Sequence, residues 1–156
     1  MKVAGYGWTW DVPVNRWGTE ISIKKGAFRE SIRAAKGSPI RLLWVHDEQQ
    51  VPIGIVTALS EDDVGLKFEA DLLDTQLARD VGAAMQAGAI RAPSISFDVE
   101  ASEYKVDEKA STMMFTRIPL REISAVNFPA HPAASMWIQA EANPEPAPTA
   151  GAQENT

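Results

Sequence analysis

Apolar and polar residues alternate in short runs along most of this chain, and a period of two predicts strands more often than helices. Met1 to Trp8 reads as extended, with Gly5, Gly7, Asp11 and Pro13 punctuating the first turns. Glu20 to Lys24 alternates and places Ile21 and Ile23 on one face. From Gly26 to Ala35 the period lengthens to that of a helix, with Phe28, Ile32 and Ala35 as its apolar stripe; Gly37-Ser38-Pro39 ends it. Ile40 to Val45 (IRLLWV) is short and strongly apolar, which predicts a buried strand. Val51 to Leu59 and Gly65 to Leu73 predict two more, joined through Glu61-Asp62-Asp63. A second helix is predicted over Gln76 to Ala87, capped by Asp74 or Thr75, with Leu77, Val81 and Met85 four apart and Gly88 closing it. Ser94 to Glu100 and Met113 to Phe128 complete the strands. Roughly seven strands and two helices predict an α+β, mainly β fold: a small closed or nearly closed barrel with helices packed outside.

One compositional break divides the 156 residues. Glu141 to Thr156 holds no large apolar residue, and Pro144, Pro146 and Pro148 alternate with small or acidic ones. Such a stretch buries too little surface to offset its ordering entropy. The expectation is one folded domain over residues 1–138 and a disordered Pro/Ala/Glu-rich tail over 139–156. With 45% hydrophobic and 23% charged residues, the balance is that of a globular domain, and five Trp supply bulky core or interface material. Twenty-one acidic against fifteen basic residues, net charge −6, disfavour nucleic acid as a partner. Neither a secretory leader nor an apolar stretch of the roughly 18 residues that cross a bilayer is visible. These features predict a soluble protein made in a cytoplasm, with no membrane partner.

Candidate chemistry is narrow. The absence of Cys removes disulfides, thiolate metal sites and thiol nucleophiles together. Only two His occur, His46 and His131, with no HExxH, so no metal is expected. GxGxxG and GxxxxGK[ST] are missing, so no phosphate-bearing cofactor is indicated, and the missing GxSxG speaks against an α/β-hydrolase. His46 ends the apolar run IRLLWV just before Asp47, a placement that suits a catalytic imidazole and equally a polar residue closing a strand. In Ala92-Pro93-Ser94-Ile95-Ser96-Phe97 an extended chain aims Ser94 and Ser96 the same way, as reactive hydroxyls or as the wet side of an ordinary strand. Counting by twos from Ile118 gives Leu120, Glu122, Ser124, Val126 and Phe128, with Pro119 a point at which the register can shift. Glu122 therefore shares its row with apolar residues and needs partners, Arg117 or Arg121 among them, because a buried unpaired charge is costly.

Taken in series, these segments resemble one family, the phage prohead proteases, which are distantly similar to herpesvirus assemblin. The resemblance rests on Gly26-Ala27-Phe28, Leu43-Trp44-Val45-His46-Asp47, Pro52-Ile53-Gly54, Gly65-Leu66, Ser94-Ile95-Ser96-Phe97 and Glu122-Ile123-Ser124-Ala125-Val126-Asn127-Phe128-Pro129-Ala130-His131-Pro132-Ala133-Ala134, in order over about residues 20–137. It implies an assemblin-like barrel and a catalytic set of His46, Ser94 and Glu122. His46 is general base and then general acid, Ser94 the acylated nucleophile, and Glu122 the group that orients the imidazole. The chain departs from the family pattern at Ser96, where Gly is usual, so Ser96 competes as the reactive hydroxyl; at Pro93, which removes a backbone donor; and at His131, a rival to Glu122 by analogy with the second His of assemblin. Glu122 is preferred because it falls on the family's Glu. Arg91 is a lesser candidate for electrostatic help.

The resemblance further implies a serine endopeptidase in the host cytoplasm, inside the assembling prohead. Its implied substrates are the scaffolding segment of the capsid protein, or a separate scaffold, and the protease itself; self-association is left open. Two rivals from other classes stand beside it: a protease-derived scaffold or capsid-assembly domain without catalysis, and a plain β-barrel binding module.

Overall fold

The computed structural model describes residues 1–140, so the tail from residue 141 onward lies outside the described residues. The described chain runs β1 (Lys2–Thr9), β2 (Val14–Arg16), β3 (Thr19–Ile23), α1 (Arg29–Ala35), β4 (Arg41–Trp44), β5 (Gly54–Glu61) and β6 (Gly65–Leu72). It continues with α2 (Gln76–Gln86), β7 (Ala92–Phe97), β8 (Glu103–Asp107), β9 (Thr112–Arg117), β10 (Leu120–Val126) and β11 (Ser135–Gln139). Seven strands form one sheet in the order β11-β1-β6-β5-β4-β10-β7, and β2-β3-β9-β8 form a second. In the larger sheet only β4 and β10 run parallel.

The two ends of that sheet come together, which makes the barrel nearly closed. The Met136 amide of β11 donates to the Arg91 carbonyl at the entry to β7, at 2.7 Å. Gly7 of β1 lies so near β7 that a methyl group there would stand 2.9 Å from Ile95 Cγ2. A tighter approach occurs at the start of β6, where a Cβ on Gly65 would lie 1.9 Å from the Trp8 carbonyl oxygen, so β1 pairs with β6 only because Gly65 has none. Val3, Phe28, Leu42, Ile53, Leu66, Phe68, Ile118 and Ile123 fill the core. Each fully buried side chain of this size contributes about 1.5–3 kcal/mol of transfer free energy.

Several predicted elements change at their ends. α1 starts at Arg29, not Gly26, because Gly26 adopts φ +100° and the Gly26 and Phe28 amides donate to the Glu61 carboxylate at 2.9 and 3.1 Å. That turn drops Phe28 into the core. α2 follows the prediction, with the Thr75 hydroxyl accepting from the Ala78 amide at 3.2 Å and Gly88 at φ +75° closing it. The run from Met113 to Phe128 is two strands, β9 and β10, in different sheets. Pro119 separates them, since it has no amide for a ladder.

Three strands carry no alternation that marks them. β2 has three residues, β8 is exposed throughout, and β11 follows Pro132 and is held by pairing with β1. The larger sheet thus has the expected number of strands, but β3 belongs to the second sheet and β11 takes its place. Among the described residues no helix is long and apolar enough to cross a membrane.

Candidate active site

β4 lies beside β10 with Trp44 level with Ala125. Immediately past Trp44 the backbone turns left-handed twice, at Val45 (φ 48°) and His46 (φ 60°). For a β-branched residue that conformation is a genuine outlier, costing on the order of 1–3 kcal/mol. Three bonds hold it, all of 3.0 Å: Val45 N–H to the Ala125 carbonyl, His46 N–H to Ser124 Oγ, and Asp47 N–H to the Trp44 carbonyl. The turn folds the His46 ring back over β10, where Nδ1 meets Glu122 Oε1. Ser124 Oγ–H donates to the other carboxylate oxygen, Oε2, at 2.6 Å. The circuit is closed: backbone of His46, hydroxyl of Ser124, carboxylate of Glu122, ring of His46.

Burial makes that circuit necessary. Glu122 is 2% exposed and Ser124 0%, and a carboxylate so enclosed needs both of its oxygens satisfied. The row assigned to Glu122 by counting in twos from Ile118 requires correction. The register slips between Leu120 and Glu122, so Ile123 and Ala125 join the hydrophobic core while Glu122 lies opposite, beneath the His46 turn. The expected arginines are engaged elsewhere, Arg117 with Glu103 and Glu30, and Arg121 with Glu48.

The ring of His46 keeps 40% of its side-chain surface exposed. With Nδ1–H donating to Glu122, Nε2 is the free acceptor nitrogen. The bond to Glu122 raises the His46 pKa above its ordinary 6.5, against the opposing effects of partial burial and of the nearby Arg16 charge.

β7 lies on the other side of β10 and sets Ser94 level with Ser124 and Ser96 level with Glu122. Residues opposite one another in an antiparallel pair share a face, with Cβ atoms roughly 4.5–5.5 Å apart. Glu122, Ser124, Ser94 and Ser96 therefore form one polar patch. Ser94 is buried and Ser96 half-buried, and both line a cavity of about 280 Å³. Among the described residues the hydrogen bonds of His46 go to Glu122 and Ser124, and neither Ser94 nor Ser96 is bonded to its ring. Bonds of this kind are often long in the absence of substrate.

The remaining candidates are occupied otherwise. His131 is buried on another wall of the same cavity, packed edge-on against Trp8 with centroids 4.4 Å apart. Its Nδ1 accepts from the Ala133 amide at 3.0 Å, so the ring proton sits on Nε2, facing Thr9 Oγ1 at 3.4 Å. Burial pushes its pKa below the ordinary value. Glu122, not His131, holds the His46 ring. Arg91 donates from Nε to the Gly88 carbonyl at 2.7 Å, an exposed helix-end contact. Among the described residues no group of three or more His, Cys, Asp or Glu is placed to hold a metal. The sequence reading missed Ser124 as a site residue, although it stands two places after Glu122 in the same motif.

The barrel has the fold of a herpesvirus protease. The KSHV protease, solved in complex with a hexapeptide phosphonate inhibitor, superposes with a TM-score of 0.51 over 86% of this chain and 63% of that one, at 8% sequence identity. The particular family is narrower: the chain belongs to the caudovirus prohead serine proteases, whose family model matches residues 1–145. It is 32% identical over 111 residues to the prohead protease of Enterobacteria phage HK97, covering 70% of this chain and 48% of that protein. The chain thus spans about half the length of that relative.

Proposed function

We propose that the protein is a serine endopeptidase that cleaves the scaffolding segment of the phage capsid protein, and itself, inside the prohead during capsid maturation. The observation that carries this reading is the buried Glu122 carboxylate holding Nδ1 of His46 from β10, the strand that pairs with β7 and sets Ser94 level with Ser124. In the proposed reaction Ser94 Oγ bonds to the scissile carbonyl carbon as its proton passes to His46 Nε2. Glu122 stabilises the resulting imidazolium without taking the proton. The tetrahedral adduct collapses with cleavage of the C–N bond, and His46 returns the proton to the leaving amine. Water then repeats the sequence on the acyl-enzyme and releases the acid.

Ser94 is favoured over Ser96 because it occupies the family's serine position and lies opposite Ser124, the residue that ties the His46 backbone to Glu122. Removal of scaffold from a closed shell frees volume for DNA, a sense in which the proposed cleavage serves assembly. The test is covalent labelling by a fluorophosphonate, with the site read by peptide mass. Ser94→Ala is expected to abolish labelling while Ser96→Ala retains it. Labelling that survives in Ser94→Ala would overturn the nucleophile, and no labelling of the parent chain would overturn the enzyme.

A further inference from the structure

The cavity beside Ser94 is bounded by Trp8 of β1, by the β2–β3 hairpin and by β7. Its lining is largely apolar, with Val14, Trp17, Ile21, Phe97 and Phe115 among its walls and Arg16 its one ionised side chain. His131, held neutral by burial, adds no charge. A cavity of about 280 Å³ is small for a whole peptide and of a size for one large side chain.

Arg16 pairs with Thr19, so Trp17-Gly18 is a two-residue turn, with φ 51° and 80°. Turns of this kind favour Asn or Asp before Gly. A Trp in the left-handed region is strained, and this one is 93% exposed, so it gives the fold almost no burial in return. Among the described residues its ring interaction is with the Arg16 guanidinium, 5.5 Å from the ring centre. Folding does not explain this residue. Its position at the mouth of the cavity does.

Resting on the proposed protease reading, we infer that this cavity is the subsite for a large apolar side chain on the residue whose carbonyl Ser94 attacks, with Trp17 as its cover. Continuity argues for that occupant: Ser94 and Ser96 line the same space as the apolar walls, so a peptide carbonyl at Ser94 brings its own side chain to that cavity. Arg16 disfavours a basic side chain there, and because its guanidinium is exposed and lies over the Trp17 ring, the screened pairing it offers an acid does not offset the desolvation of a carboxylate among apolar walls.

The experiment uses the whole chain and two kinds of probe. Diisopropyl fluorophosphate reports the hydroxyl alone, and peptidyl diphenyl phosphonates that differ only in one side chain (Ala, Leu, Phe, Lys, Asp) report the cavity. Leu and Phe probes are expected to inactivate at least roughly tenfold faster than the others. Trp17→Asn, which suits the turn, and Ala130→Trp, which fills the cavity from its rim, are each expected to erase that preference while the fluorophosphate rate stays within about twofold. Equal rates for all five phosphonates, or a preference for Lys or Asp, would overturn the subsite and leave the protease standing. If fluorophosphate fails to react with the parent chain, both readings fall.

Discussion

Glu122 and His46 meet across 76 positions of sequence. They do so because β4 and β10 are parallel neighbours, and because two left-handed residues turn the chain end of β4 back over β10. The carboxylate arrives buried and already bonded to Ser124, so it offers one fixed oxygen to the ring. An imidazole held in this way needs no reorganisation to present Nε2.

Glu122→Gln tests that bond. The replacement keeps shape and removes charge, and kcat is expected to fall by roughly 10³–10⁴. Because Glu122 is the leading cause of the raised His46 pKa, and burial and Arg16 both oppose it, the acidic limb of the kcat/KM profile is expected to lie above pH 6.5 in the parent and to move downward in the variant. A limb that stays put would remove Glu122 from the imidazole's environment.

Ser124→Ala cuts the circuit at its other side. It takes a hydrogen bond from a buried carboxylate and leaves the His46 amide without its acceptor, at a cost of about 2 kcal/mol in stability. The ring is expected to lose its placement as well, with kcat down between roughly 10- and 100-fold. Thermal unfolding and steady-state kinetics on the same preparation check both halves.

Val45 is strained for the sake of its neighbour. Val45→Asn tolerates φ 48° better and, at a half-exposed position, gives up little burial. The expected gain is about 1 kcal/mol, or roughly 2–4 °C in Tm. A lower Tm would show that the turn is not strained.

Stability is expected to depend on pH through both histidines, in opposite senses. The folded His46 binds its proton more tightly than the unfolded chain, so its contribution is complete below pH 6.5 and is lost as pH rises through the higher folded pKa. His131, buried and neutral, contributes fully above its ordinary value and less as pH falls toward its lower folded pKa. Urea midpoints from about pH 7 to about pH 9 are expected to fall in the parent chain and to be flatter in Glu122→Gln.

The legible parts of the chain were those where local pattern and tertiary role agree. Strands β1, β4 and β6 and the helix α2 follow their apolar spacing, and His46 and Glu122 are in contact, whereas neither Ser94 nor Ser96 is bonded to the His46 ring. The row of Glu122 differs from a plain count by twos because the register slips just after Pro119, the residue in the sequence that marks where such a shift can occur. Ser124 escaped notice because a serine in a strand looks the same whether it faces water or a carboxylate. β8 and β11 owe their form to pairing with β9 and β1, and pairing is invisible to a pattern of single residues.

The place of β10 in the sheet has a consequence for how such a chain comes alive. Lying between β4 and β7, it is a keystone laid after both of its supports. Until that late segment slots in, the histidine and serine strands have nothing to span the gap between them. On the proposed reading, a chain still emerging from synthesis has no assembled site until this strand is in place, and an agent that withheld the strand would keep the site apart.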